Sequence, residues 1–229
     1  TSNAHDISEL QSLVESNRVD GMLLTRALED DRALQYLSQA NFPTALTGTC
    51  RYDNIIQVDT DNEGAAEKMT TLLIGKGFRR FAFLVKDMSY NVDRKRHEGF
   101  CRALIKNGIS EKDQLFYNGS IRMEFLDAII ENIISKKVEC IICGDDEICT
   151  MVMSRLQAEG YRIPKDVAIA SLYNSTNLDC YSPAVTAVSV AASQMGGTAV
   201  RQLIQRLRGE NYEKKTMLDY DILFRKSTN

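Results

Sequence analysis

Residues 54–85 read NIIQVDTDNEGAAEKMTTLLIGKGFRRFAFLV and contain two apolar strand patterns on either side of a helix pattern. In the helix pattern, Ala65, Met69, Leu72 and Leu73 recur at the spacing of one apolar stripe, and the pattern ends at a glycine. Strands this apolar, connected by a helix, are typical of a parallel sheet whose two faces are covered. The stretch therefore predicts a strand, a helix and a second strand of an α/β fold.

The same alternation of strand and helix patterns runs through the rest of the chain. Repeated units of this kind build α/β proteins with parallel sheets. The chain has 229 residues, and we expect two lobes because one compact sheet would not hold this many strands. The predicted strands are residues 19–25, 43–47, 54–58, 80–85, 138–143, 167–172, 185–190 and 217–224.

Two later helices also carry apolar stripes, and we expect each stripe to pack against a sheet. The helix over residues 125–137 has the most regular pattern of the chain. The members are Phe125, Leu126, Ile129, Ile130 and Ile133 in the first helix and Val200, Leu203, Ile204 and Leu207 in the second.

The composition argues against several classes of protein. The chain is 44% hydrophobic and 26% charged, which is ordinary for a soluble globular protein. Its 28 basic and 31 acidic residues give a formal net charge of −3, so no overall basic field draws it onto nucleic acid. No apolar run approaches the roughly 20 residues that span a membrane, and the polar start is unlike a signal peptide. We therefore expect a cytoplasmic protein.

The six cysteines do not form a metal-binding pattern. Cys140 and Cys143 make a lone C-x-x-C without a second pair or a nearby histidine. Residues three apart in a strand point to opposite faces of the sheet, so these two thiols cannot share one metal ion. We predict buried, reduced thiols and no metal or cofactor.

Five strand ends supply the candidate site residues, because ligands of parallel α/β sheets bind beyond the carboxyl ends of the strands. Tyr90 and Tyr173 each offer a ring that either stacks on a ligand or packs internally. The candidate ends are Thr25, Thr47 with Gly48, residues 86–91, residues 144–146, and Tyr173 with Asn174.

Asp145, Asp146 and Glu147 follow an apolar strand with only Gly144 between them. Three carboxylates suit a magnesium ion. Alternatively, an aspartate caps the next helix and the following acids lie in its first turn, where the helix dipole favours them. We favour the helix start for Asp146 and Glu147 and leave both interpretations open for Asp145.

Motifs of covalent and nucleotide chemistry do not occur in the sequence. There is no G-x-S-x-G, no G-x-x-x-x-G-K-[ST] phosphate loop, and no G-x-G-x-x-G after a strand. The two histidines, His5 and His97, lie in or beside charged helix starts. The chain is therefore predicted to be a binding protein and not an enzyme.

Residues 93–104, DRKRHEGFCRAL, form a second charged entry into a helix. Lys95 and Glu98 are interpreted as solvated residues of the helix start. Arg96 lies near the amino end of the helix, where its guanidinium fork suits hydroxyl groups or a carboxylate. We predict that Arg96 binds the ligand.

These segments together resemble the effector-binding core of the LacI/GalR family of bacterial transcriptional regulators, from about Ile7 to Thr228. Each segment alone is a weak signal, but eight follow in family order over nearly the whole chain. They are VDGMLL, the stretch from VDTDNEG to FRRFAFL, RHEGFCRALIKNGI, IICGDDE, GYRIPKDVAIAS, SPAVTAV, MGGTAVRQLI and the closing FRKST.

The resemblance implies a periplasmic-binding-protein-like type I fold, with two Rossmann-like lobes that are joined by three crossovers and close on a small ligand. One lobe is expected to hold residues 1–58 and 190–216, and the other residues 59–189 and 217–229. The family's N-terminal helix-turn-helix and the opening strand and helix of the first lobe have no counterpart in this sequence. A homodimer that contacts operator DNA through that N-terminal domain is implied.

The resemblance also assigns site residues one by one. Arg96 matches the ligand-contacting arginine of R-x-x-G-F, and Thr25 matches a polar contact after V-D-G-x-x-x. Asp145 matches the aspartate of a strand end, whereas Tyr173 and Asn174 replace two aspartates of the family pattern, and Gly48 replaces another acid. Without those acids, the resemblance favours an acidic, phosphorylated or aromatic ligand, or a site that has lost its ligand, over a neutral sugar.

Three hypotheses for function follow. The first is the ligand-sensing domain of a LacI-type regulator, whose effector is a sugar, a sugar phosphate or a sugar acid. The alternative is a solute-binding protein of a sugar transport system. The third is a magnesium-dependent α/β enzyme that uses Asp145, Asp146 and Glu147, the least favoured of the three.

Overall fold

The computed structural model describes residues 6–119 and 123–229. The chain forms eight helices and ten strands in these residues, in an order that alternates as predicted. The helices are α1 (Ser8–Glu15), α2 (Arg32–Gln39), α3 (Asn62–Gly75), α4 (Asn91–Lys106), α5 (Met123–Ser135), α6 (Asp146–Ala158), α7 (Thr176–Cys180) and α8 (Ala192–Leu207). The strands are β1 (Met22–Leu24), β2 (Thr44–Thr47), β3 (Ile56–Thr60), β4 (Phe81–Val85), β5 (Leu115–Asn118), β6 (Cys140–Cys143), β7 (Ala168–Ser171), β8 (Thr186–Val190), β9 (Lys215–Leu218) and β10 (Tyr220–Leu223).

Contacts divide the chain into two compact units. The first unit holds the chain up to Thr60, the short segment Ser89–Val92, and Ala191–Asp219. The second unit holds Asp61–Met88, Asp93–Val190 and Tyr220–Asn229. The resemblance placed residues 59–60, 89–92 and 217–219 in the second lobe and residue 190 in the first. In the structure the first three segments belong to the first unit and Val190 belongs to the second.

The first unit contains a four-stranded sheet in the order β1-β2-β3-β9, and all its pairs are parallel. Apolar residues of α2 cover one face, and α8 covers the other through Leu203 and Ala199. Because every strand runs the same way, the carboxyl ends of β1 and β2 lie at the same edge of this sheet.

The second unit contains a six-stranded sheet in the order β10-β8-β7-β6-β4-β5. Its pairs are parallel except for β10, which runs antiparallel to β8 at the sheet edge. All residues of β4, β6 and β7 are buried, as expected for strands covered on both faces. The α/β fold class with mainly parallel sheets is confirmed.

The stretch around α3 forms the predicted strand, helix and strand, but β3 belongs to the sheet of the first unit and β4 to the sheet of the second, so the three elements are not one unit of a single parallel sheet. The side chain of Asp61 accepts a hydrogen bond from the amide of Gly64 at 2.9 Å and caps the amino end of α3. Met69 and Leu73 are fully buried against the sheet, whereas Leu72 is 38% exposed. The expected burial of Leu72 was therefore wrong, because the covered face of α3 runs along Met69 and Leu73.

The glycine of the R-x-x-G-F motif has a packing role. A Cβ atom on Gly99 would lie 2.1 Å from the carbonyl oxygen of Glu63, so α4 approaches α3 too closely for any side chain. Close contact of two helices at a glycine fixes the position of α4, which also carries Arg96.

Two strand predictions need correction. The four-residue edge strand β5 was missed because its apolar run covers only three residues, Leu115 to Tyr117, and its burial alternates. The predicted strand 217–224 is two strands, β9 in the first unit and β10 in the second, and Asp219 lies between them. Side-chain alternation continues through Asp219, which is why the pattern alone gave a single strand.

Cys140 and Cys143 of β6 lie on opposite faces of the sheet, as the strand period predicts. Cys140 belongs to one buried apolar cluster of the second sheet and Cys143 to the other, on opposite faces. Both thiols are free and buried. Among the helices in the described ranges, none has both the length and the apolar character to cross a membrane.

Candidate functional site

Arg96 is buried in the second unit, with 7% of its surface exposed. Its Nη1 atom donates a hydrogen bond of 2.7 Å to the carbonyl oxygen of Gly144. Gly144 itself packs against β4, since an added Cβ would lie 2.9 Å from Cγ1 of Val85. Arg96 therefore ties α4 to the carboxyl end of β6, a structural role that the sequence did not indicate. Its predicted contact with a ligand stays a prediction.

Asp145 caps α6 in the structure. Its Oδ1 accepts a hydrogen bond from the amide of Ile148 at 2.8 Å, and Asp146 and Glu147 begin the first turn. Of the two interpretations left open for Asp145, a helix cap or a magnesium ligand, the structure shows the helix cap for its Oδ1 atom.

Lys86, at the end of β4, supplies the counter-charge for these acids. Its Nζ lies 3.1 Å from Oδ2 of Asp145 and also pairs with Glu147. Burial disfavours the charge on Lys86, but the bonds to Glu147 and Asp145 outweigh it and raise the pKa of the ammonium group. In the described parts of the chain, no three His, Cys, Asp or Glu side chains are grouped as a metal site.

Asp93 is a buried acid that the sequence reasoning did not single out. It is 6% exposed, and its Oδ2 accepts a hydrogen bond of 3.2 Å from the amide of Asp87. Burial raises the pKa of this carboxyl group, against the opposing effects of that hydrogen bond and of Arg96. The only signal in the sequence was its position three residues before Arg96.

Asn174 is held by neighbours in the second unit. Its Oδ1 accepts a hydrogen bond of 2.9 Å from Nη1 of Arg225, and its Nδ2 donates one of 3.2 Å to Asp179. Arg225 also pairs with Asp179, so the three side chains form one network. Arg225 lies in the closing FRKST segment, which gave no indication of this role.

Tyr173 follows β7 and is partly buried. Its backbone carbonyl accepts a hydrogen bond of 2.7 Å from the hydroxyl of Ser171, which fixes the turn after the strand. The ligand contact of the Tyr173 ring stays a prediction.

In the first unit, Thr25 and Arg26 follow β1 directly, and both are exposed. The guanidinium carbon of Arg26 lies 5.6 Å from the centroid of the Tyr90 ring, within the range of a cation–π contact. Tyr90 forms an isolated antiparallel bridge with Leu28, which holds the ring beside the end of β1. Arg26 was missed because a single basic residue after a strand has no periodic signature.

Asn91 secures the same segment to the first unit. Its Nδ2 donates a hydrogen bond of 2.9 Å to the carbonyl of Thr49, and its amide donates one of 3.1 Å to Ala27. The carboxyl ends of β1 and β2 and the Tyr90 segment therefore meet within one unit. Thr25 and Tyr90, both predicted from the sequence, lie in this group.

The sequence matches the periplasmic binding protein-like domain family over residues 70–228. It is 26% identical over 224 residues to the HTH-type transcriptional regulator CelR of Thermobifida fusca, covering 95% of this chain and 66% of that protein. The chain thus spans about two thirds of the length of this curated relative.

Solved structures of regulators have the same fold. A Bacillus cereus subsp. cytotoxis protein described as a transcriptional regulator LacI gives a TM-score of 0.87 at 29% identity, over 95% of this chain and 79% of that one. The complex of the transcriptional regulator CelR with cellobiose gives 0.84 at 26% identity, over 96% and 69%.

These relatives are transcriptional regulators and not transport proteins, which confirms the resemblance drawn from the sequence motifs. The chain belongs to the periplasmic-binding-protein-like domain family, and it corresponds to the effector-binding core of its LacI/GalR-type regulator homologues.

Proposed function

We propose that this chain is the ligand-sensing domain of a LacI-type DNA-binding transcriptional regulator, with a sugar or a sugar derivative as its effector. The observation that carries the proposal is its likeness to CelR, a regulator solved in complex with cellobiose, over 96% of the chain. Operator DNA, a homodimeric state and a cytoplasmic location are proposed for the longer protein that contains this domain.

The proposed ligand contacts lie at the carboxyl-end edges of the two sheets. In the first unit they are Thr25 and Tyr90, which are grouped beside the end of β1. In the second unit they are Arg96, Asp145, Tyr173 and Asn174, at or beside the ends of β6 and β7. The two units are proposed to be the two lobes implied by the sequence resemblance.

In this proposal the effector regulates operator binding because it shifts the populations of two arrangements of the protein. An effector changes the balance between two arrangements of a protein only by the difference in its affinity for them. Gly144 and Asp145 are suited to transmit such a difference, because one bonds Arg96 of α4 and the other caps α6. A ligand that displaces one of these bonds would alter the packing of the helix that the bond holds.

A thermal-shift screen tests the binding part of the proposal. The panel contains sugars, sugar phosphates, sugar acids and nucleosides, because the effector class is broader than cellobiose. A ligand at 100 times its Kd adds about 2.7 kcal/mol to the free energy of unfolding, which raises Tm by several degrees. Nucleosides serve as the comparison class.

The regulatory part is tested with the full-length protein. Fluorescence anisotropy on its operator DNA should show an affinity that changes when the ligand from the screen is added. Binding of a ligand with no change in operator affinity would contradict the regulator proposal, and a panel without any stabilising sugar or derivative would contradict the effector class.

A further inference from the structure

Arg26 is an exposed arginine at the end of β1 that has no carboxylate partner among the described residues. In residues 6–119 and 123–229, its contact is with the Tyr90 ring, and none of the ion pairs includes it. By contrast, Arg51 pairs with Asp30 at 3.2 Å and Lys215 pairs with Asp53 at 3.1 Å in the same unit. The strand end of β1 therefore presents an uncompensated guanidinium.

Asp31, an acid of the loop after β1, already has hydrogen-bond partners in the structure. Oδ1 of Asp31 accepts a hydrogen bond of 3.0 Å from the amide of Leu34, which caps α2. Its Oδ2 accepts a hydrogen bond of 3.2 Å from the amide of Leu28, which fixes the loop after β1. Both of its oxygens are in use, and Arg26 remains available to a partner from solution.

The neighbouring end of β2 supplies no acid either. Gly48 has φ +136°, a backbone conformation that residues with side chains rarely adopt. A carboxylate at this position would need a different turn. The polar group that lies next to Arg26 is instead the neutral hydroxyl of Thr25.

The Tyr90 ring restrains Arg26 before any ligand binds. A guanidinium held over an aromatic face loses less conformational freedom on binding than a solvated one. Its planar fork matches the two oxygens of a carboxylate or phosphate, and such charged hydrogen bonds are stronger than neutral ones.

We infer that the effector carries an anionic group, a phosphate or a carboxylate, and that Arg26 on the Tyr90 ring is the residue that selects it. The inference rests on the proposed function, since it takes this sheet edge as the effector site. It narrows the effector from sugars in general to sugar phosphates or sugar acids.

The test compares each anionic sugar with its own neutral parent on the purified chain. Isothermal titration with hexose phosphates, hexuronates and the parent hexoses gives a Kd for each, and inorganic phosphate is titrated alone. Variants are Arg26→Gln, Tyr90→Leu and the control Arg18→Gln. Arg18 is also exposed, but it precedes β1 and so lies at the opposite end of the same strand.

The anionic member of one pair should bind more tightly than its parent. Arg26→Gln should weaken it by about 10- to 100-fold, the effect of losing hydrogen bonds between charged groups. Tyr90→Leu should weaken it less, and Arg18→Gln should leave it unchanged. Tighter binding of the hexose phosphates would identify the anionic group as a phosphate, and tighter binding of the hexuronates would identify it as a carboxylate.

Three results would overturn the inference. A neutral hexose that binds wild type and Arg26→Gln as tightly as any anionic sugar would refute it and leave the proposed function standing. Inorganic phosphate that binds as tightly as the sugar phosphates would reduce Arg26 to an adventitious anion site. Failure of every sugar and derivative would refute the proposed function as well.

Discussion

The two units bury apolar side chains to very different extents. The sheet of the second unit is packed on both faces, by clusters of eighteen and sixteen buried residues in the described part of the chain. The corresponding clusters of the first unit hold five and four. The second unit therefore has a complete three-layer core, whereas the first has thin layers on either side of a smaller sheet.

Two helices with the same kind of pattern illustrate the difference. In α5 of the second unit, Leu126, Ile130 and Ile133 are 0 to 3% exposed. In α8 of the first unit, Leu203 is 8% exposed, but Ile204 and Leu207 are 42% and 43% exposed. A helical period identifies a helix in both cases, but the layers around the helix decide how much of the stripe is covered.

The largest expected effect tests the core of the second unit. Leu126→Asp should unfold this unit at neutral pH, because a charge without a partner in a helix–sheet interface costs several kcal/mol. Phe125→Asp is the matched control, since Phe125 precedes Leu126 on the same helix and is 57% exposed.

Circular dichroism and urea denaturation measure both variants. The control should keep the wild-type spectrum and lie within about 1 kcal/mol of its stability. A folded Leu126→Asp variant would show that the apolar face of α5 had been assigned wrongly.

A smaller effect is expected in α8 of the first unit. Leu203→Ala removes a side chain that packs on Ala45 and Val58 of the sheet, so it should cost about 2–3 kcal/mol. Ile204→Ala, on the next and exposed position, should cost less than about 1 kcal/mol. Equal losses in the two variants, measured by urea denaturation, would mean that the exposed stripe of α8 is covered in solution.

The smallest effect concerns Asp93. Burial raises the pKa of its carboxyl group in the folded state, so the protonated form favours folding and this contribution is lost as pH rises through the raised pKa. In the Asp93→Asn variant the side chain does not titrate, but its amide oxygen can still accept the hydrogen bond from the amide of Asp87. Its stability relative to wild type should therefore increase with pH from about 4 upward, and then level off. A relative stability that falls over this range in urea denaturation would contradict the assignment.

More of the fold than of the candidate site could be predicted from the sequence. Strands such as β4 and β6 are buried on both faces, so all of their residues are apolar in the sequence. The edge strand β5 has alternating burial and ends in a polar residue, so its pattern is weaker. The alternation of side chains along residues 217–224 also could not show that the boundary between the two units follows Asp219.

The site depends on contacts between distant segments. The positions of Arg96 and Tyr90 at helix and strand ends were readable, because those ends follow from local patterns. The bond from Arg96 to Gly144 and the stacking of Arg26 on Tyr90 join residues 48 and 64 positions apart (144 − 96 and 90 − 26). No local pattern encodes such a pair, so Arg26 came only from the structure.

The central claim is that the effector binds at the carboxyl-end edges of the two sheets. Hydrogen–deuterium exchange of the chain with and without the tightest ligand of the panel tests it most directly. Exchange is expected to be slower in residues 25–28, 86–92 and 144–148 and unchanged in the amino-end loops 18–21 and 208–214. Protection of those amino-end loops, with the carboxyl-end segments unaffected, would contradict it.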